Sequence, residues 1–351
     1  MAPPDITRRI GLNRTVLLRP GAAWHGRPAG RVLGATGLSA TVASAAAGAG
    51  ATTESPPLQL LDRALAGGAP WAQDVATAWT DALSHLLRTL REPTDPDREA
   101  RPEWGDADWA RWSSAPRVLV CGGVVAGELG SRAAHDPAVR AHRAEVFPDP
   151  ARACLIGLAA GAGDDGDRDD RDDRGAVLVL DLGHSSVKAA SVHHGTLGPT
   201  ATVPVPWTPF DTGTWPSPEA LLDLVAAACR TVLPARAGLG PLRVRVAIAN
   251  YVVGGRLDDD QTYGTLADPG VDPRDTLSRE LSERLARPVR VELLVNDGAA
   301  AALSVEAHAT PAAADARTST TATGRRGPLA AGPAVAVISI GTSLGVGFTD
   351  A

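Results

Sequence analysis

Four short runs of this sequence set carboxylates, glycines and hydroxyls directly after apolar, β-branched stretches. In Asp181-Leu182-Gly183-His184-Ser185-Ser186-Val187-Lys188, a strand-end carboxylate could hold a water-coordinated Mg²⁺. Gly183 lets backbone approach a phosphate, and Ser185, Ser186 and Lys188 could meet its oxygens. A β-hairpin with a polar turn is the plain alternative. In Ile340-Gly341-Thr342-Ser343-Leu344-Gly345-Val346-Gly347-Phe348, glycines and hydroxyls allow main-chain N–H groups to face an anion, and a glycine-containing hairpin is again the alternative. It is not a P-loop, because no Gly-Lys-Ser/Thr follows. Val295-Asn296-Asp297-Gly298 leads into an Ala-rich helix from about Ala299 to His308. Asp297 either caps that helix or accepts the proton of a hydroxyl that attacks a phosphate. Finally, Val120-Cys121-Gly122-Gly123 turns a strand through two glycines, either a plain turn or an open floor for a flat base or ribose.

These residues need strands behind them, and β-branched runs supply candidates: Arg117 to Cys121, Ala176 to Leu182, Val244 to Ile248, Val289 to Val295 and Val335 to Ile340. In α/β folds ligands bind at the carboxyl ends of strands, where these polar residues stand. Apolar residues recurring from Val75 to Leu90 predict one amphipathic helix over 71–90. Ser217-Pro218 is a good N-cap and first-turn pair for a second helix carrying Leu221 and Val225. A third carries Leu277, Leu281 and Leu285 and stops before Pro288. Three stretches read as unpacked: a loop of about 91–116 docked by Trp104, Trp109 and Trp112, the acidic tether 163–175, and the Ala/Thr/Ser-rich 310–333.

Composition sets outer bounds. A chain of 351 residues is long enough for two lobes with their own cores. A net charge of −6 gives no general electrostatic case for nucleic acid or anionic membrane as partner. Three dispersed cysteines (Cys121, Cys154, Cys229) indicate neither a disulfide framework nor a zinc cluster, and suit a reducing cytoplasm. The first twenty residues lack an apolar signal core, and no later run reaches the ~18 apolar residues of a membrane span.

Taken jointly, the four motifs resemble the hexokinase, glucokinase and ROK group of sugar kinases within the actin-like ATPase superfamily. Asp181 to Lys188 resembles the phosphate-1 motif, Asn296-Asp297 the catalytic Asn-Asp, Gly341 to Gly347 phosphate-2, and Cys121-Gly122-Gly123 the adenosine motif. The resemblance implies an α/β, actin-like (ribonuclease H-like) two-lobed fold. It also implies phosphorylation of a sugar or sugar-like hydroxyl, placing the protein in carbohydrate metabolism. In that reading ATP is bound by Asp181, Gly183, Ser185, Ser186, Lys188, Gly341, Thr342, Ser343, Gly122 and Gly123, with Mg²⁺ held by Asp181 through water. Asp297 is the general base and Asn296 orients the acceptor. In the family the adenosine motif comes last, whereas here it comes first, so the blocks read as circularly permuted, with the acidic tether joining the old ends.

The expected layout is therefore a nucleotide-binding lobe over 1–162, a linker over 163–175, and a phosphate-1 and substrate lobe over 176–308. An insertion over 309–333 and a phosphate-2 segment over 334–351, returning to the first lobe, complete it. Met1 to Gly30 should continue what Phe348 to Ala351 leaves off. Two departures stand out. His184 holds a position usually given to Gly, and the family's zinc cluster with its Glu-rich sugar contacts is absent. The nearest material, Gly21 to Gly26, has no carboxylate, and its Trp24 and His25 read more readily as packing residues than as substrate contacts. A catalytically inactive nucleotide- or sugar-binding regulator, or a kinase for a cyclitol, aminosugar or other metabolite, is the alternative. A homodimer stays open.

Overall fold

The computed structural model describes residues 9–51, 54–160, 162, 176–193, 195–208, 211–233, 240–258, 262–267, 270–309 and 335–349. The expected tether (163–175), the segment 310–333 and both chain ends lie outside the described residues. The strands of the two main sheets are β1 (Arg117–Cys121), β2 (Ala144–Val146), β3 (Val177–Leu182), β4 (Ser186–His193), β5 (Thr196–Pro204), β6 (Leu242–Ile248), β7 (Val289–Asn296), β8 (Val335–Ile340) and β9 (Leu344–Phe348). The principal helices are α1 (Ala35–Gly48), α2 (Pro57–Ala66), α3 (Pro70–Arg91), α4 (Asp106–Ser114), α5 (Ala153–Ala160), α6 (Pro218–Val232), α7 (Pro273–Leu285) and α8 (Asp297–Ala309).

One sheet runs in the order β7-β6-β3-β4-β5, with β3, β4 and β5 an antiparallel meander and β6 and β7 parallel to β3. The other runs β9-β8-β1-β2: an antiparallel hairpin, then two parallel neighbours. This is a mixed α/β, two-sheet arrangement, as the α/β fold class expected from the motifs requires. Strand β3 reads as an unbroken apolar run because both its faces are covered. Leu178, Leu180 and Leu182 enter the core built with α6 and α7, while Val177 and Val179 enter the core shared with the second sheet. By the two-residue period, Asp181 shares the face of Val177 and Val179.

Helix α8 leaves β7 of the five-stranded sheet and packs on β8 and β9 of the other. Only glycines permit this approach. A Cβ at Gly298 would overlap the backbone of Val346, and one at Gly347 would overlap the Gly298 carbonyl. On its other side α8 meets α5, where a Cβ at Gly157 would overlap the Ala300 carbonyl.

The segment 91–116 departs from the expected loop. It contains a helical turn at Asp95–Glu99 and helix α4, because Asp97 and Asp108 each accept the backbone N–H three residues earlier, of Thr94 and Gly105 (both 2.9 Å), and so cap the two starts. Docking by aromatics does hold, with Trp104, Trp109 and Trp112 all in the core. Trp24 is likewise core, with its ring 5.1 Å from that of His85, and His25 is exposed; neither lines the cavities described below.

The N-terminal segment sits against the β8–β9 turn. Asn13 Nδ2 donates to the Leu344 carbonyl (3.1 Å) and Asn13 Oδ1 accepts from the Leu344 N–H (2.7 Å), so one side chain imitates a strand partner. The Ala35 N–H donates to the Gly341 carbonyl at 2.8 Å. Val16–Leu17 pairs with Arg27–Pro28 in a separate ribbon, not with β9. Among the described residues no helix is long and apolar enough to cross a membrane.

Candidate active site

Both predicted phosphate motifs are hairpin turns, and both turns face one cavity. The β3–β4 hairpin pairs Leu182 with Val187, and β8–β9 pairs Ile340 with Leu344, leaving 183–186 and 341–343 at the tips. The hairpin reading and the anion-facing reading are thus compatible. A cavity of about 500 Å³ is lined by Gly122, Gly123, Asp181, Gly183, Ser185, Ser186, Lys188, Asp297, Gly341, Thr342 and Ser343, which joins all the predicted site residues except Asn296. Gly122 is held at φ +102°, and a Cβ there would overlap the Ile340 carbonyl, so the position requires glycine.

Asp181 and Lys188 are direct cross-strand partners. The Lys188 ammonium donates to Asp181 Oδ2 at 3.0 Å and to the Ala151 carbonyl at 2.8 Å. The Asp181 charge holds the Lys188 pKa above its usual value, overcoming burial. Lys188 is therefore a fixed charge on the cavity wall, spent first on Asp181. His184 is buried and stacks at 6.2 Å on Tyr263, whose hydroxyl donates to the Gly183 carbonyl at 2.7 Å. The His184 ring is thus braced by the protein.

Asp297 opens α8. Burial, and after it the Asp181 charge, push its carboxyl up to about 7, against hydrogen bonds from Gly298, Ser339 and Asn296 that favour the anion. A Cβ at Gly345 would stand 2.5 Å from Asp297 Oδ1, so this carboxylate lies directly on bare backbone of β9. The role of Gly345 and Gly347 is consequently to admit α8 and Asp297; neither lines the larger cavity.

Asn296 also has a structural task. Its Nδ2 donates to the Asn250 carbonyl and its Oδ1 accepts from the Gly298 N–H, each at 2.9 Å, so it holds the β7–α8 turn. It lines a second cavity of about 30 Å³, whose wall also contains Gly11, Asn13, Asn250, Tyr251 and Gly345. Asp297, His184, Ala249 and Ser343 line both cavities. Burial pushes the Cys121 thiol up to about 12 and that of Cys154, whose Sγ donates to the Asp297 carbonyl, well above its usual value. Neither is a thiolate nucleophile.

Sequence reasoning missed several walls: Ala35 and Ser39 of α1 and the 56–59 stretch at the start of α2 on the larger cavity, and Gly11, Asn13, Asn250 and Tyr251 on the smaller. For Asn250 the signal was present, since it stands two residues beyond β6, where the strand-end rule applies. Tyr251 follows it directly, and the remaining walls are brought in by helices and by the N-terminal segment, which leave no local mark.

No family model matches the chain, and no curated protein matches it. Among solved structures, the inorganic polyphosphate/ATP-glucomannokinase from Arthrobacter sp. strain KM aligns at 25% identity and TM-score 0.29 over 50% of this chain and 58% of that one. A ROK family glucokinase from Streptomyces griseus, solved with glucose and AMPPNP, aligns at 24% identity and TM-score 0.23 over 35% and 34%. The ethanolamine utilization protein EutJ from Carboxydothermus hydrogenoformans aligns at 12% and TM-score 0.33 over 64% and 73%. The chain thus spans little more than half of the glucomannokinase and a third of the glucokinase.

Proposed function

We propose that this protein is an ATP-dependent phosphotransferase that phosphorylates a hydroxyl of a sugar or sugar-like small molecule. The observation that carries the reading is Asp297, one carboxylate on the shared wall of a nucleotide-sized cavity and a small polar one. In this reading the two hairpin turns hold the phosphates, and Gly122, Gly123 and the 56–59 wall receive the base and ribose. The acceptor hydroxyl enters from the smaller cavity and gives its proton to Asp297, whose raised pKa suits a base working near neutrality. Asn296 fixes the turn that aims Asp297.

The residues fit a divalent cation at one point. Lys188 takes Asp181 Oδ2, and Oδ1 keeps its acceptor capacity for a metal-bound water on the cavity wall. When bound, Mg²⁺ would neutralise charge on the phosphates during transfer. Rate enhancement in such a site comes from positioning and fixed charge, which the cross-strand Asp181–Lys188 pair and the backbone-seated Asp297 supply.

The chain order belongs to the same proposal. The two-sheet fold is read as a circular permutation in which the N-terminal segment resumes where β9 ends; Asn13 on Leu344 and Ala35 on Gly341 support it. The lobe boundaries near residues 162, 176, 308 and 334 follow from that reading.

The test is ADP release with Mg²⁺-ATP over a panel of hexoses, pentoses, cyclitols and aminosugars, with Asp297→Asn as control. Acceptor-dependent turnover, lowered about 10²–10⁴-fold in the variant, is the expected result. Binding of ATP without turnover on any acceptor would overturn the reading in favour of a binding protein.

A further inference from the structure

Asn250 is 2% exposed and follows β6 on the wall of the smaller cavity, beside Asn296 and Asp297. Its two ends are unequally served. Nδ2 donates to the Asp258 carbonyl at 2.8 Å, which fixes the orientation of the amide and ties down the excursion from 251 to 258. Oδ1 is buried and receives no donor among the described residues. A buried carbonyl oxygen without a donor is costly, and native structures rarely leave one unless a water or a bound molecule completes it. The space beside it is the cavity from which, in the proposed function, the acceptor reaches Asp297.

We infer that Asn250 is an acceptor-binding residue, and that its Oδ1 takes a hydrogen bond from a second hydroxyl of the acceptor, next to the one that Asp297 deprotonates. The inference rests on the proposed phosphotransfer and adds to it a specificity-determining residue, one that reads a hydroxyl next to the phosphorylated one. The rest of the wall agrees. Besides Asp297 and His184, its polar side chains Asn13, Asn296, Tyr251 and Ser343 are uncharged, and no Lys or Arg lines this cavity. Such a wall suits a neutral acceptor over an acidic or phosphorylated one.

The test compares Asn250→Ala with Asn250→Asp, using the best acceptor of the panel and its monodeoxy analogues. Wild-type enzyme should discriminate about ten- to hundredfold in kcat/KM against one analogue that lacks a hydroxyl adjacent to the phosphorylated position. Asn250→Ala should lose that discrimination with KM for ATP unchanged. Asn250→Asp keeps Oδ1 while it removes the donor to Asp258, so it should retain discrimination. If Asn250 serves only as a tether, both variants lose Nδ2 and behave alike; equal loss, or unchanged discrimination in both, overturns the inference while phosphotransfer stands. If Asn250→Ala does not fold, discrimination lost in Asn250→Asp alone is enough to overturn it. Absence of turnover in the wild type on every acceptor overturns both the inference and the function beneath it.

Discussion

Replacing Asp297 by Asn should make the protein more stable, and increasingly so as pH rises. The carboxyl has an ordinary value of 3.8 and is pushed to about 7 in the fold, first by burial and then by Asp181. The native state therefore holds this proton more tightly than the unfolded chain. Below pH 3.8 both states are protonated and the group is neutral to stability. Between 3.8 and about 7 the unfolded chain gives up the proton first, so stability falls with rising pH, and it levels off above 7. At about 1.36 kcal/mol per pH unit the full loss is about 4 kcal/mol, an upper bound because Asp297 lines an open cavity where water screens part of it; about 2 kcal/mol is a discounted figure. Asn does not titrate and can still accept the Gly298 N–H. At roughly 2–4 °C per kcal/mol, the variant's Tm advantage should grow by about 4–16 °C between pH 4 and pH 8. Thermal melts of both proteins, free of nucleotide and divalent cation, across that range are the assay. Parallel Tm curves against pH would refute the reasoning, because they would mean that Asp297 titrates alike in folded and unfolded chain. In the same range wild-type kcat/KM should rise with pH through about 7.

Three other substitutions probe what surrounds that carboxylate. Gly345→Ala places a Cβ 2.5 Å from Asp297 Oδ1, so steady-state kinetics should show kcat down about 10–100-fold with KM for ATP little changed, and thermal melts should show a lowered Tm. Gly122→Ala forces a side chain to φ +102° against the Ile340 carbonyl; it should cost about 1–3 kcal/mol in urea unfolding and weaken nucleotide binding measured by calorimetry. Arg101, 1% exposed, donates to Thr15 Oγ1 (2.7 Å) and to the Arg9 (3.0 Å) and Gly11 (2.5 Å) carbonyls. Arg101→Met should cost about 2–4 kcal/mol by denaturant unfolding and raise KM for the acceptor more than for ATP, because Gly11 and Asn13 line the acceptor side alone.

What the sequence made legible follows from where its signals come from. The five predicted strands appear within two residues of their expected ends because three of them carry near-continuous apolar runs that are buried on both faces and the other two alternate apolar with charged residues. Helix α6 starts where Ser217 and Pro218 say it should, with Ser217 Oγ accepting from the Ala220 N–H. The stretch 91–116 was misread for a compositional reason: prolines and charges suggested a loop, while the pairs Thr94/Asp97 and Gly105/Asp108, standing in the sequence as capping signals, outweighed them. At the site, residue types were readable and their partners were not. Lys188 reads as a phosphate contact, and its pairing with Asp181 across the hairpin leaves no mark in the sequence; the two backbone groups held by Asn296 are equally unmarked. Gly345 and Gly347 looked like parts of a phosphate loop because the helix that needs their bareness arrives from the other sheet, some fifty residues away in sequence.

That last contact bears on how such a site can move. Asp297 emerges from β7 of one sheet, yet it is seated on Gly345, and its helix is packed backbone to backbone on β9 of the other sheet. Backbone contacts without intervening side chains have little room to slide, since interiors at this density switch between packings rather than stretch. Any closing motion of the two sheets must therefore leave Asp297 fixed relative to the β8–β9 turn and act instead on parts joined to it by side chains. The β3–β4 turn, braced through Tyr263, and the α1–α2 wall of the larger cavity are such parts. Under the proposed function, this arrangement would hold the proton acceptor rigidly against one phosphate turn and leave the opposite turn and the α1–α2 wall to adjust around the nucleotide.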